Sequence, residues 1–179
     1  MTGRNITRII AAAAALGTLV LIVLGLLRPH TTPTTTSGGV GLEKGQAAPN
    51  FTVTTISGQK VSLSDFRGKP VMLNFWFVDC PACQEEAPDL QKFYAATKND
   101  IVILGINIAD SHKDVRRFAN QYRLTYPLGL DADRSIASLY SIQFEPTSYF
   151  LDSRGIIRAR VEGALDTNDL EQLVKKVKD

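Results

Sequence analysis

The chain's only two cysteines stand two residues apart, in the sequence Cys80-Pro81-Ala82-Cys83. An apolar run from 71 to 78 precedes the pair, and residues 84–97 after it have a helical pattern. The N-terminus of a helix carries partial positive charge and unpaired N–H groups, which stabilise an anion such as a thiolate. The spacing therefore predicts a dithiol for thiol–disulfide exchange, in which the first cysteine attacks a disulfide and the second resolves the mixed disulfide.

A cysteine pair can also serve as a structural disulfide or as part of a zinc site. A purely structural disulfide across so short a loop would stabilise the fold by only roughly 2 kcal/mol. A zinc site needs three or four ligands, and the only histidines, His30 and His112, are far from the pair in sequence. The residues favour redox chemistry and predict neither a metal site nor a bound cofactor.

The N-terminal segment is predicted to span a membrane. Residues 9–27 are apolar or small and uncharged, and 19 helical residues approach the ~30 Å of a hydrocarbon core. Arg4 and Arg8 precede the run, so the N-terminus should be cytoplasmic and the rest extracytoplasmic. A cleaved signal peptide is the alternative, but the run is long and ends in Leu26-Leu27-Arg28-Pro29, a poor cleavage context. We expect a signal anchor over 1–28.

A tether and one globular domain are predicted to follow the anchor. Residues 29–42 are rich in Thr, Ser, Gly and Pro and have little to bury, whereas 43–179 has the size of one domain. Three of the 20 basic residues precede residue 43, which leaves 17 basic against 18 acidic residues in the domain. The domain has no stripe of basic residues that would indicate nucleic-acid binding, and no glycine-rich loop that would indicate a bound nucleotide.

The domain's elements alternate between strands and helices. The runs 71–77 and 101–108 are continuously apolar, as in strands covered on both faces. Hairpins are predicted on either side of Ser57-Gly58 and of the turn 152–155. Helices are predicted at 84–97, 113–122, 133–140 with Asp133 as N-cap, and from Asp166 or Thr167 to near Lys178. This order predicts an α/β domain with a central mixed sheet flanked by helices and an N-terminal β-hairpin.

The arrangement resembles the thioredoxin fold, and within it the membrane-anchored thiol–disulfide oxidoreductases of the TlpA/ResA/CcmG (DsbE)-like family. The resemblance covers roughly residues 45–177. The motifs that carry it are Gly45-Gln-Ala-Ala-Pro49-Asn-Phe51, Leu73-Asn-Phe-Trp76, Cys80-Pro-Ala-Cys83, Glu86, Pro88, and Glu145-Pro-Thr-Ser-Tyr-Phe-Leu-Asp152 followed by Gly155.

The resemblance implies roles for the residues of these motifs. Cys80 would be the exposed attacking thiolate and Cys83 the shielded resolving thiol. Pro146, which by itself would be interpreted as a turn proline, would be a cis-proline opposite the dithiol. Pro88 would interrupt the helix hydrogen bonding. The groove for the substrate polypeptide would be lined by Asp79, Pro81, Ala82, Glu145 and Thr147.

Three further residues are expected beneath or beside the dithiol. Glu86 lies three residues after Cys83 and so shares its helix face; the resemblance implies that it tunes or relays protons at the thiols, while the alternative is a solvated glutamate. Asn74 lies in the strand, six residues before Cys80, where cytoplasmic thioredoxins have a buried aspartate, so the resemblance is closer to the extracytoplasmic branch. Trp76 is interpreted as core packing under the site.

Two residues depart from the family pattern. Asp79 stands where relatives usually have tryptophan, and Glu145 where they usually have a small or apolar residue. Negative charge near Cys80 raises the pKa of a thiol, and a less stable thiolate makes the dithiol a better reductant. The departures predict a reductant whose groove favours basic or neutral substrate segments.

The sequence thus predicts an extracytoplasmic reductase in a bacterial cell membrane. Its partners would be protein disulfides, including those of apocytochromes c, and a membrane donor of thiol electrons. A disulfide-forming oxidase of the same fold is the alternative. A thiol peroxidase would need a Pro-x-x-x-Thr-x-x-Cys loop, which is missing before either cysteine. A non-catalytic binding module is disfavoured by the intact cysteine pair.

Overall fold

The computed structural model describes residues 39–97 and 100–178. The predicted membrane segment, 9–27, and most of the predicted tether lie outside these ranges. Within them, no helix combines the length and the hydrophobicity that crossing a membrane requires.

A five-stranded mixed sheet forms the centre of the domain, in the order β5-β4-β3-β6-β7. A separate hairpin, β1-β2, precedes it, as predicted from Ser57-Gly58. Gly58 occupies a left-handed conformation (φ 83°) in the hairpin turn. The strands are β1 Thr52–Thr54, β2 Lys60–Ser62, β3 Val71–Trp76, β4 Val102–Ile108, β5 Leu128–Asp131, β6 Thr147–Leu151 and β7 Ile157–Glu162.

Strand β3 occupies the middle of the sheet, and every one of its residues is buried. It pairs parallel with β4 and antiparallel with β6. The antiparallel pairing sets the end of β3 beside the beginning of β6, with Phe75 opposite Thr147. The chain segments that follow β3 and precede β6 therefore meet at one edge of the sheet.

Within the described ranges, four α-helices cover the sheet, and a short 3-10 helix, Leu63–Phe66, follows β2. Helix α1 begins at Pro81, directly after Cys80, and contains Pro88. The buried face of α1 includes Phe93, whereas Tyr94 is half-buried. The helices are α1 Pro81–Thr97, α2 His112–Tyr122, α3 Ser135–Leu139 and α4 Thr167–Lys178.

The beginning of α3 differs from the prediction. Asp133 accepts a hydrogen bond from the Ser135 backbone N–H (3.1 Å), but Arg134 occupies the N-cap position. The buried carboxylate of Asp131, at the end of β5, accepts from the backbone N–H groups of Ile136 (3.0 Å) and Ala137 (2.7 Å). Because these are the unpaired donors of the first helical turn, Asp131 does most of the capping that we assigned to Asp133.

Two hydrophobic clusters lie on opposite faces of the sheet. Alternate residues of β3 enter them, since successive side chains of a strand point to opposite faces. Met72 and Trp76 belong to the cluster with α1, α2 and α4, which also contains both cysteines. Leu73 and Phe75 belong to the cluster with α3 and the hairpin. The dithiol thus lies over a packed face of the sheet.

Candidate active site

The two cysteines form a disulfide at the junction between β3 and α1. Cys83 lies in the first turn of the helix, and its backbone N–H donates to the Sγ of Cys80 at 3.1 Å. This donor is one of the groups that a helix leaves unpaired at its N-terminus. In the reduced protein the same N–H would stabilise a thiolate on Cys80.

Cys80 is buried in the disulfide form, whereas the predicted exposure concerns its thiolate in the reduced protein. In the disulfide form it is 3% exposed, close to the 2% of Cys83. The reason is that the Sγ of Cys80 is folded back over the helix N-terminus and lies 3.5 Å from the carbonyl oxygen of Glu145. Pro81 is exposed and Ala82 half-buried, so the chain between the cysteines forms the accessible surface.

The segment from Glu145 to Thr147 lies against the dithiol from the β6 side. The peptide bond between Glu145 and Pro146 is cis. Thr147 is fully buried, pairs with Phe75 of β3, and donates its hydroxyl to the Phe144 carbonyl oxygen at 2.7 Å. The pairing of β6 with β3 therefore brings the Glu145 carbonyl to the sulfur, although the two residues are 65 positions apart.

Glu86 is a buried carboxylate and not a solvated one, since its residue is 2% exposed. Its Oε1 accepts from the Asn74 side-chain amide at 2.8 Å, and its Oε2 from the Leu165 backbone N–H at 3.2 Å. Burial raises the pKa of Glu86 to about 7, although both hydrogen bonds act to lower it. A carboxyl group with this pKa can hold or release a proton near neutral pH.

Asn74 connects Glu86 to the sheet. Its amide also donates to the Ser148 hydroxyl on β6 at 3.1 Å. Ser148 lies within the 145–152 motif but was given no role in the sequence prediction, and Leu165 was absent from it. Each reaches this cluster through long-range contacts of the fold. The Asn74 amide thus links β3, β6 and helix α1.

Of the other two predicted supporting residues, Trp76 lies in the core and Pro88 at the surface. Trp76 is 2% exposed and packs on Phe118, with ring centroids 4.5 Å apart, as expected of a core residue. Among the described residues, its Nε1 is the one buried side-chain nitrogen or oxygen atom that has no hydrogen-bond partner. Pro88 is exposed within α1.

The charges beside the dithiol are more numerous than the two predicted. Asp79 is exposed. The Glu145 side chain forms an ion pair with Arg134, at 3.8 Å, which offsets part of its charge. Asp110, which the sequence prediction missed, accepts from the Val78 backbone N–H at 2.7 Å, two residues before Cys80. Apart from the buried Glu86, the surroundings of Cys80 therefore carry three carboxylates and one guanidinium.

These groups can carry out thiol–disulfide exchange. The dithiol supplies the two electrons, the helix N-terminus stabilises a thiolate, and Glu86 supplies a group that titrates near neutral pH. Among the described residues, no set of three or more His, Cys, Asp or Glu side chains is arranged to bind a metal ion.

The chain is similar in sequence and in structure to known proteins. A family model described as the AhpC/TSA family matches residues 44–160. The thioredoxin-like protein YneN of Bacillus subtilis is 34% identical over 159 residues, covering 87% of this chain and 93% of YneN. The thiol-disulfide oxidoreductase ResA of Bacillus thuringiensis is 34% identical over 137 residues, covering 76% of this chain and 79% of ResA.

A solved structure shares the fold of this chain. It is that of a secreted disulfide oxidoreductase of Mycobacterium tuberculosis, described as homologous to E. coli DsbE, and it is 30% identical with a TM-score of 0.65. The match covers 70% of this chain and 94% of that one. The chain thus belongs to the AhpC/TSA family and, within it, to the thioredoxin-like thiol–disulfide oxidoreductases similar to ResA.

Proposed function

We propose that the protein is an extracytoplasmic disulfide reductase that acts on secreted proteins, including the oxidised haem-binding cysteines of apocytochromes c. The observation that carries the proposal is the position of the dithiol. Cys80 lies at a helix N-terminus, with the carbonyl oxygen of Glu145 3.5 Å from its sulfur and a buried carboxyl, Glu86, on the same helix.

The reaction would proceed in two exchanges. The Cys80 thiolate attacks one sulfur of the substrate disulfide, forming a mixed disulfide and releasing the other substrate sulfur as a thiolate. Cys83 then loses its proton and attacks the Sγ of Cys80, which releases the second substrate thiolate. Two electrons pass from the protein dithiol to the substrate, and the protons taken from the protein thiols balance those gained by the substrate thiols.

Glu86 is suited to the proton that Cys83 must lose. It lies one helical turn from Cys83 on the buried face of α1, and its pKa near 7 lets it accept a proton at neutral pH. No other group in the described chain combines this position with such a shift.

The local charges support the direction of reduction. Asp79, Asp110 and Glu145 outnumber the single cation, Arg134, around the segment that holds Cys80. Excess negative charge disfavours the thiolate and so favours release of electrons to a substrate. The N–H of Cys83 acts in the opposite sense, so the potential is the quantity that decides between reductase and oxidase.

The proposed location rests on the predicted anchor at 9–27 with Arg4 and Arg8 before it. A secreted relative of known structure is consistent with an extracytoplasmic domain. Cytoplasmic dithiols would not reach such a domain, so a membrane protein with a reactive dithiol would have to return the protein to its reduced form.

The test is the midpoint potential of Cys80–Cys83, measured on the full-length chain in mild detergent by titration with redox buffers. A midpoint potential of about −270 mV, that of thioredoxin, would support the proposal of a reductase. A midpoint potential of about −120 mV, that of a strong oxidase, would reverse the proposed direction of electron transfer.

A further inference from the structure

A cavity of about 340 Å³ opens beside the dithiol on the β4 side. Its lining includes Phe77, Ala109, Asp110, Arg134, Gln143 and Glu145. The Glu145 carbonyl oxygen lies 3.5 Å from the Sγ of Cys80, and Phe77 is three residues before that cysteine. A polypeptide whose disulfide is bound at Cys80 therefore has this cavity within reach of its neighbouring side chains.

The charged groups of the cavity are one cation and two carboxylates. Asp110 accepts two hydrogen bonds on a single oxygen, Oδ2, from Val78 (2.7 Å) and from the Asn107 amide (2.8 Å). The side chain of Glu145 is only 15% exposed and meets Arg134 at 3.8 Å. The cavity therefore keeps an excess of one negative charge.

The ion pair between Arg134 and Glu145 is weak. Its separation of 3.8 Å exceeds the 2.7–2.9 Å of a charge-assisted hydrogen bond. The Arg134 side chain is 52% exposed, so water can solvate it when it leaves Glu145. An ion pair with one solvated partner and so long a separation contributes little, and a second cation can replace Arg134 at small cost.

The backbone around the cavity is held in an unusual conformation. Ala109 (φ 64°) and Arg134 (φ 60°) both occupy the left-handed region, which is unfavourable for residues other than glycine. Both donate their backbone N–H to one carbonyl oxygen, that of Asp131, at 3.1 Å. One carbonyl thus fixes the two loops that carry Asp110 and Arg134 relative to each other.

We propose that this cavity binds a lysine or arginine side chain of the substrate polypeptide next to its disulfide, and that Arg134 is the internal counter-ion displaced from Glu145 on binding. The inference rests on the proposed function, because it assigns a substrate preference to the same dithiol. Glu145 and Arg134 are then specificity-determining residues, acting through the charge that they present to the substrate and not through the sulfur chemistry.

The experiment compares two peptide disulfides that differ only in having lysine or glutamate beside the cysteines. Pre-reduced, full-length protein reduces each in a single turnover, and each rate constant is divided by that for the small neutral hydroxyethyl disulfide. This division removes changes in the reactivity of Cys80 itself. The variants are Arg134→Gln, Glu145→Gln and, as control, Arg117→Gln, which also removes an exposed arginine from a carboxylate, Asp114, at 3.1 Å.

The wild type should reduce the lysine peptide faster. Arg134→Gln should raise the lysine-to-glutamate ratio by about fivefold and Glu145→Gln should lower it by a similar factor, the size expected of a single weak ion pair. Arg117→Gln should leave the ratio as in the wild type, and Arg134→Lys should restore it.

Two results would overturn the inference, and they separate its own failure from failure of the proposed function. If both peptides are reduced but the ratio is the same in wild type, Arg134→Gln and Glu145→Gln, or favours glutamate, the cavity does not select a cation, and the reductase stands. If neither peptide nor hydroxyethyl disulfide is reduced, the proposed function fails and the inference fails with it.

Discussion

The backbone N–H of Leu165 donates to Oε2 of Glu86 at 3.2 Å, across 79 positions of the chain. Since Asn74 binds the other oxygen, the carboxylate is held between β3 and the loop that precedes α4. A buried acid beside a dithiol is therefore positioned by parts of the fold that are distant from the cysteines in sequence.

The raised pKa of Glu86 predicts a pH dependence of stability. Its pKa rises from 4.5 in the unfolded chain to about 7 in the folded one, so the folded state binds more protons between these values. Stability should therefore fall as pH rises from about 4.5 to about 7 and change little from this group above that range. Glu86→Gln should remove this trend, which amounts to roughly 2–3 kcal/mol between pH 5 and 8.

The measurement is urea unfolding of the oxidised protein at pH 5 and pH 8, with Glu85→Gln as control, since Glu85 is the exposed neighbour on the same helix. Equal pH trends in Glu86→Gln and wild type would contradict the assignment of the titration to Glu86.

The two cysteines should behave differently when each is replaced by serine. In Cys83→Ser, Cys80 can attack a substrate but no second thiol resolves the mixed disulfide, so the complex should accumulate. In Cys80→Ser, the remaining Cys83 lacks the helix N-terminal N–H that points at the Sγ of Cys80 and stabilises a thiolate there, so it should trap at least tenfold less substrate. Non-reducing gels and mass spectrometry of protein mixed with an oxidised CxxC peptide would measure both; equal trapping would reverse the assigned roles.

The cap of α3 provides a stability prediction. Asp131→Ala removes the acceptor of two backbone N–H groups and of the Ser135 hydroxyl, and should cost about 2 kcal/mol. Asp133→Ala removes a single exposed acceptor and should cost clearly less. Denaturant midpoints of the two variants would rank them, and a larger loss in Asp133→Ala would restore the cap predicted from sequence.

Gly105 in β4 should not tolerate alanine. An added Cβ would lie 2.7 Å from the Leu128 Cδ2 and 3.1 Å from the Trp76 Nε1. We expect Gly105→Ala to destabilise the protein by about 1–3 kcal/mol. Trp76 is the only tryptophan, so its fluorescence would report the local shift directly. Gly39→Ala, where nothing lies within 4 Å of the added atom, is the control; equal stability of the two variants would contradict the expectation.

Local patterns were sufficient to predict the elements around the dithiol. The apolar runs 71–77 and 101–108 correspond to β3 and β4, and the turn residues Ser57-Gly58 to the first hairpin. Asp166 accepts from the Asp169 backbone N–H at the start of α4, as one of the two predicted caps. These features depend on neighbouring residues, whose spacing can be read directly in the chain.

The features that sequence reasoning missed depend on distant residues. Asp110 reaches Val78 and Arg134 reaches Glu145 only because β4, β5 and β6 set their loops at one edge of the sheet. Asp131 replaced Asp133 as the principal cap because it ends a strand that directs it under the helix, which no local motif reveals. The burial of Cys80 likewise follows from its contact with the distant Glu145 carbonyl oxygen.

The antiparallel pairing of β3 with β6 has a consequence for the chain during its synthesis. Both cysteines precede residue 84, but the carbonyl that covers Cys80 is at 145 and the donor to Glu86 is at 165. A nascent polypeptide therefore presents its thiols long before the residues that shape and tune them have been translated. Reactivity arises in two stages, first as that of an ordinary unfolded cysteine pair and then, once the last strands have joined the sheet, as that of the assembled enzyme.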